Sequence, residues 1–168
     1  MLTRLPDGTS LLIRPIRPGD KPLLDGAVRR LSPESARGRF LTAKPSLNER
    51  ELRYLTEVDG HDHCALVAVR VDDPSHLVAV ARYVRLRDDP QTAEMAIVVA
   101  DDYQGQGLGR RLGLELSNRA REDGVQRFLG LMLSDNVAAH RLFATISAAL
   151  HTDRANGVDE VLVQLTAA

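Results

Sequence analysis

Three groups of residues in this sequence have types and spacing that could do chemistry. The densest is the run Gln104-Gly105-Gln106-Gly107-Leu108-Gly109-Arg110. An apolar stretch, Met95 to Ala100, feeds this run, and a segment with helical spacing follows it directly. A strand, a glycine-rich turn and a helix N-terminus in that order make a phosphate cradle. The first helical amides have no partner and carry partial positive charge, and glycine lets the backbone approach an anion with no Cβ in the way. The second group is Glu94, the one ionisable side chain between Ala93 and Ala100. A carboxylate beside an apolar channel is raised in pKa by desolvation and can act as a general base; a carboxylate at the start of a strand can equally face water and have no role. The third is Asn136, which follows the apolar run Phe128 to Leu133 and is placed to cap a helix.

Spacing narrows the chemistry. The dinucleotide fingerprint G-x-G-x-x-G requires glycine where Arg110 stands. The triphosphate loop requires Gly-Lys-Ser/Thr, and no lysine follows these glycines. What remains is Gln-x-x-Gly-x-Gly, spelled by Gln104, Gly107 and Gly109. His61-Asp62-His63-Cys64 has the composition of a metal cluster, but its spacing supplies no partner ligands elsewhere, so no metal is expected. Cys64 opens an apolar strand without basic neighbours and is not read as a nucleophile. His140 reads as a surface or cap residue.

The elements that must position these groups are legible in outline. Thr9–Ile13 reads as a strand after an Asp7-Gly8 turn, ended by Pro15 and Pro18. Asp20 reads as the N-cap of a helix with the stripe Leu23, Leu24, Val28 and Leu31. Ser32-Pro33 starts a second helix, and Ser46-Leu47-Asn48-Glu49 reads as the capping box of a third, running to about Glu57. Cys64–Val71, Leu77–Leu86 and Thr92–Ala100 form an antiparallel meander joined by Asp-Asp-Pro turns. A helix over Gly107–Asp123 carries Leu108, Leu112, Leu116 and Ala120 on one face, with Gly124 closing it. Phe128–Leu133 reads as a strand buried on both faces. A helix over Asn136–Ser147 follows, with Ala139, Phe143 and Ile146 inward, then a hairpin of Leu150–Thr152 and Val158–Leu165 around Asn156-Gly157. The expectation is a single α+β domain over residues 1–168, with a central mixed, mostly antiparallel sheet flanked by helices.

Composition excludes several classes. The 168 residues are 43% hydrophobic and 27% charged, which suits one globular domain with a sizeable core. A net charge of -1 gives no reason to expect nucleic acid or an anionic membrane as partner. Aromatics are 4% with no Trp, too few for base-stacking platforms. A lone cysteine, no apolar leader and no run of membrane-spanning length make a cytoplasmic location the expectation.

The Gln-x-x-Gly-x-Gly run, with the strand before it and the strand and Asn136 after it, resembles the acyl-CoA pyrophosphate motif of the GCN5-related N-acetyltransferases (GNAT). The matching parts cover about residues 63–147. The resemblance implies acetyl-CoA as co-substrate and direct attack of an amine on the thioester. It implies that Gln104, Gly105, Gln106, Gly107, Leu108, Gly109 and Arg110 hold the pyrophosphate. It further implies that backbone groups of Ile97, Val98 and Val99, on a bulged strand, bond the pantetheine arm and polarise the carbonyl, that Asn136 bonds the arm, and that Glu94 is the general base. Phe143 stands where many members have a tyrosine that protonates the departing thiolate. Water, Ser134 or Tyr103 would then serve instead. Asp7-Gly8, Leu12 to Asp20, Leu31 to Ser35, Arg39-Phe40 and Val58-Asp59 resemble the bacterial protein-lysine acetyltransferase branch, which implies a protein lysine as acceptor. Members of that branch often carry a second nucleotide- or CoA-handling domain, which this chain is read as lacking. A small amine as acceptor, or an acyl-CoA sensor without turnover, stays open beside it, as does a homodimer.

Overall fold

Val- and Ala-rich runs in the middle of the chain become its longest strands, because small and β-branched side chains fit a pleated surface covered on both faces. A computed structural model describes residues 1–41, 46–146 and 149–165. Its strands are β1 (Leu2–Arg4), β2 (Ser10–Pro15), β3 (His63–Arg70), β4 (Leu77–Arg85), β5 (Thr92–Val99), β6 (Arg127–Leu133), β7 (Ala149–Ala155) and β8 (Val158–Gln164). They form one sheet in the order β1-β2-β3-β4-β5-β6-β8-β7. Every neighbouring pair is antiparallel except β5 and β6.

The helices are α1 (Lys21–Arg30), α2 (Pro33–Phe40), α3 (Glu49–Thr56), α4 (Leu108–Glu122) and α5 (Val137–Ile146). On one face of the sheet, Leu24, Val28 and Leu47 pack with Ala65, Val67, Val69 and Val80. On the other, Leu108, Leu112, Leu116 and Ala120 of α4 and Phe143 and Ile146 of α5 pack with Tyr83, Met95 and Phe128. The two periodicities interlock: alternate residues of β4 and β5 serve opposite layers.

Several expectations need correcting. β1 is an added edge strand, paired Leu2↔Leu12, too short to carry a sequence signal. Asp20 does not cap α1. It is buried and takes two hydrogen bonds from Arg14, at 2.7 and 2.8 Å, and one from the Arg17 amide at 2.8 Å. Burial alone would raise this carboxyl, but those bonds and the charges of Arg14 and Arg17 outweigh it and hold it below the usual range. The capping box of α3 lies two residues later, between Asn48 and Glu51. β6 is not covered on both faces: Phe128 and Met132 are buried, while Leu131 is 41% exposed. That second face is only partly covered, with Leu129 and Leu133 half-buried. Ser147, the expected end of α5, lies outside the described residues.

Candidate active site

β5 and β6 stay together for only three rungs, Thr92↔Arg127, Ala93↔Phe128 and Glu94↔Leu129. Beyond Glu94, β5 continues paired to β4 alone, and β6 to β8 alone. The sheet therefore opens at Glu94, and β5 presents an unpartnered edge from Met95 to Val99. Unpaired backbone along such an edge seeks a partner. The bulge expected in β5 is absent. Its register against β4 runs without a break from Arg85↔Ala93 to Ala79↔Val99. The gap arises because the β6–β8 pairing carries β6 away, with no inserted residue.

At the far end of this edge lies the glycine turn. Gly105 (φ 72°) and Gly107 (φ 80°) are left-handed, and a Cβ added at either meets nothing within 4 Å. The backbone there is thus open to an approaching group. α4 starts at Leu108, and the amide of Arg111 makes its first bond, to the Gly107 carbonyl at 3.1 Å. The amides of Leu108, Gly109 and Arg110 precede that bond, which fits an anion at this terminus. The Leu108 side chain is core, so only its backbone could serve the cradle. A Cβ on Gly109 would sit at ordinary contact distance, 3.7 Å from Val99 and 3.8 Å from Leu142, so the packing of α4 leaves room for one there. Arg110 is exposed, whereas Arg111 donates to Thr3 on β1.

Gln104 donates its amide to the Val99 carbonyl at 3.0 Å and to Ser35 at 3.1 Å. Asp101 accepts from the Ser32 amide and from the hydroxyls of Ser32 and Ser35, at 3.0, 2.8 and 2.6 Å. The start of α2 is thereby tied to the loop that leads into the glycine turn. Further along α2, a Cβ on Gly38 would come within 3.2 Å of the Asn136 amide nitrogen. Asn136 caps α5 by accepting from the Ala139 amide at 3.0 Å. α2 therefore reaches from the glycine loop on one side of the opening to Asn136 on the other.

Glu94 is exposed at the closed end of the opening, on the same sheet face as Arg82 and Ala96. Arg82 is only 5% exposed. Its Nη1 donates to the Leu55 carbonyl at 3.2 Å and lies 3.1 Å from His63 Nε2. Burial, then repulsion from Arg39, pull Arg82 down to about 9. A guanidinium keeps its proton at neutral pH all the same, so that pull measures a missing counter-charge. Burial, then the charge of Arg82, push His63 down to about 4, so the imidazole is neutral and accepts from Arg82. Burial also lowers Arg39, against the opposing charge of Glu94. Sequence reasoning passed over Arg82; its signal was a single cation among the apolar residues of Leu77–Val84.

The remaining sequence candidates lie elsewhere. His61 sits outside β3, with Nδ1 2.9 Å from Asp62, and does not share a face with His63. Cys64 is buried, which pushes its thiol up. Ser134 donates its hydroxyl to Asp159, and the Tyr103 hydroxyl meets Arg70 at 3.5 Å. The Phe143 ring packs its tip against Gly130, where a Cβ would come within 2.2 Å.

A parted pair of parallel strands leading to a glycine turn and a helix N-terminus makes an open strand edge that ends in an anion cradle. The profile of the Acetyltransferase (GNAT) family matches residues 28–146, and the chain belongs to that family of acyltransferases. It is 36% identical over 142 residues to Acetyltransferase Pat of Mycolicibacterium smegmatis, covering 84% of this chain and 42% of that protein. It is 34% identical over 147 residues to Acetyltransferase PA5475 of Pseudomonas aeruginosa, covering 87% of this chain and 76% of that one. The GNAT domain of S. lividans PAT superposes with a TM-score of 0.86 at 26% identity, over 98% of this chain and 96% of that domain. The chain thus spans about two fifths of the mycobacterial relative. The fold is that of the family, with eight strands among the described residues in a mixed sheet between helical layers.

Proposed function

We propose that this chain transfers an acetyl group from acetyl-CoA to the amine of a protein lysine, with Glu94 as general base. The observation that carries the reading is the line from Glu94 to Val99. It is a line about 17 Å long, without a strand partner on that side from Met95 onward, with a carboxylate at one end and an anion cradle at the other. A thread-like donor with a diphosphate on one end and a reactive group on the other matches that line. The residues present fit such a molecule: the turn at Gly105 and Gly107 is open, and the β5 edge offers hydrogen-bonding backbone along the route.

Bound acetyl-CoA supplies an acetyl group activated as a thioester. The amides of Leu108, Gly109 and Arg110, with the turn from Gln104 to Gly107, would hold the anionic end. The backbone of Ile97, Val98 and Val99 would orient the arm, and Gln104 would have to release the Val99 carbonyl if the arm takes it. Asn136, its side-chain oxygen committed to the cap, keeps an amide free to donate. Glu94 would take the proton that the acceptor ammonium must lose before it can attack. Of the three side chains considered for the departing sulfur, Phe143 has no proton to give. Ser134 gives its hydroxyl proton to Asp159, while Tyr103 accepts from Arg70 and keeps its own. Solvent or the Tyr103 hydroxyl then supplies that proton.

Glu94→Gln is expected to lower kcat by roughly a hundredfold to ten-thousandfold while CoA affinity, measured by calorimetry, stays unchanged. Full activity in this variant would remove Glu94 from the base role. Incubating the protein with labelled acetyl-CoA and a cell lysate should label protein bands. Label confined to small molecules would overturn the lysine assignment.

A further inference from the structure

Beside Glu94, the sheet and helices α1, α2 and α3 enclose a small cavity of about 20 Å³, room for a single oxygen-sized group. Most of its lining is apolar: Leu24, Val28, Leu55, Val80, Val98 and their neighbours. Two side chains are not. Arg39 and Arg82 both line it. Arg82 is 95% removed from solvent, yet among the described residues it forms no ion pair. Its Nη1 is occupied by Leu55 and His63, while Nε and Nη2 have no hydrogen-bond partner among the described residues. The residues outside that set contain no Asp or Glu. Arg39 is half-buried, stacks over Phe40 at 5.1 Å and is opposed only by Glu94. Two cations therefore face one carboxylate, with His63 neutral beside them. Buried guanidinium groups are otherwise found paired, because the fork of N–H donors matches a carboxylate and an uncompensated buried charge is costly.

We infer that the acceptor carries an acidic group close to its amine, and that Arg82 and Arg39 bind that group while the amine meets Glu94. The geometry sets the spacing. Arg82 pairs with Ala96 and Val84 with Glu94, so Arg82 and Glu94 are diagonal neighbours on one face. Such neighbours are about 7–8 Å apart, a separation that a few carbon atoms between amine and acid would span. The inner position takes one carboxylate oxygen, and Arg39 offers a second contact nearer the opening. An acceptor without the acid would bring its amine into an uncompensated positive field. The inference rests on the acyltransferase reading and specifies its substrate. The acid could be an Asp or Glu beside the acceptor lysine, or the carboxylate of a free amino acid.

Matched acceptors test this. Lysine peptides with Glu or Asp flanking the lysine are compared with their Gln or Asn counterparts, and ω-amino carboxylates of two to six carbons with the alkylamines of equal length. In the wild type, the acidic member of each pair should be preferred in kcat/KM by roughly tenfold to a hundredfold. The preference should fall to near unity in Arg82→Gln, and Arg82→Lys should restore part of it. Arg39→Gln, at a half-buried position, should reduce it even if Arg82→Gln does not fold. Which pair shows the effect identifies the source of the acid. A readout independent of turnover is the Arg82 Nε–H NMR signal in protein free of CoA. It should shift on titration with the ω-amino carboxylates and stay still with the alkylamines. Transfer with equal preference within every pair overturns this inference and leaves the acyltransferase reading intact. An Arg82 signal that shifts without transfer to any amine has the opposite meaning.

Discussion

His63 and Glu94 occupy one row across three strands, His63 on β3 and Glu94 on β5 with Val84 between them, yet solvent treats them oppositely. His63 is 8% exposed beneath Tyr54, whose ring lies 4.9 Å away, and beside Arg82. Glu94 is open to water at the parting of the strands. The depressed His63 pKa has a stability consequence with a definite sign. The folded state resists protonation, so the contribution is present above the ordinary value of 6.5 and is lost as pH falls towards about 4. Unfolding free energy should drop over that window by at most about 3 kcal/mol. Urea melts between pH 7 and 4 should show this slope in the wild type and a shallower one in His63→Gln. An equal slope in both would assign the loss to other groups. Neither contrast is visible along the sequence, where His63 looks like one of a pair with His61.

At the level of elements, α2 is the piece whose importance the sequence understates. It is eight residues long and weakly amphipathic, and its capping signal, Ser32-Pro33, correctly marks its start. The chain does not announce that Ser32 and Ser35 would be taken up by Asp101, 69 and 66 residues away. Asp101→Ala should cost about 1 kcal/mol, read as a fall of roughly 2–4 °C in Tm. It should also weaken CoA binding, because Gln104 loses the Ser35 that shares its amide. A variant that melts lower but binds CoA as tightly as wild type would limit Asp101 to holding α2. By contrast, α4 was legible almost in full. Leu108, Leu112, Leu116 and Ala120 are all buried, and Gly124 takes the left-handed conformation that ends the helix. Local chemistry suffices there because the stripe, the glycines and the cap lie within one stretch. β6 was the contrary case, since which face of a strand is covered depends on elements it does not contain.

Across the whole molecule, the opening at Glu94 is a property of the sheet and of no single strand. β8, inserted between β6 and β7, pairs with β6 along its entire length, while β5 keeps its partner β4. The two halves therefore diverge after three shared rungs. A ligand that fills such a gap binds the folded state alone. CoA at a hundred times its Kd should raise stability by about 2.7 kcal/mol, measurable as an upward shift in Tm. In Gly107→Ala the left-handed φ of 80° becomes strained by about 1 kcal/mol, and the added Cβ enters the open side of the turn. The unliganded Tm should fall slightly, and the CoA-induced shift should shrink much more. A full ligand shift in that variant would move the anion away from this turn.

The sequence by itself determined the local form of the proposed donor cradle. Gln104, Gly107 and Gly109 stand within six consecutive residues, between a strand and a helix that their own periodicity specifies. Backbone amides at a helix start are placed by local sequence, although the Gln104 side chain is held by Ser35 of α2. Only the tertiary structure brings together the residues of the proposed acceptor side. Arg39, His63, Arg82 and Glu94 come from one helix and three strands, and their charges matter through mutual distance and loss of solvent. Burial and Coulomb interactions are set by what packs over a group in space, which local spacing does not encode.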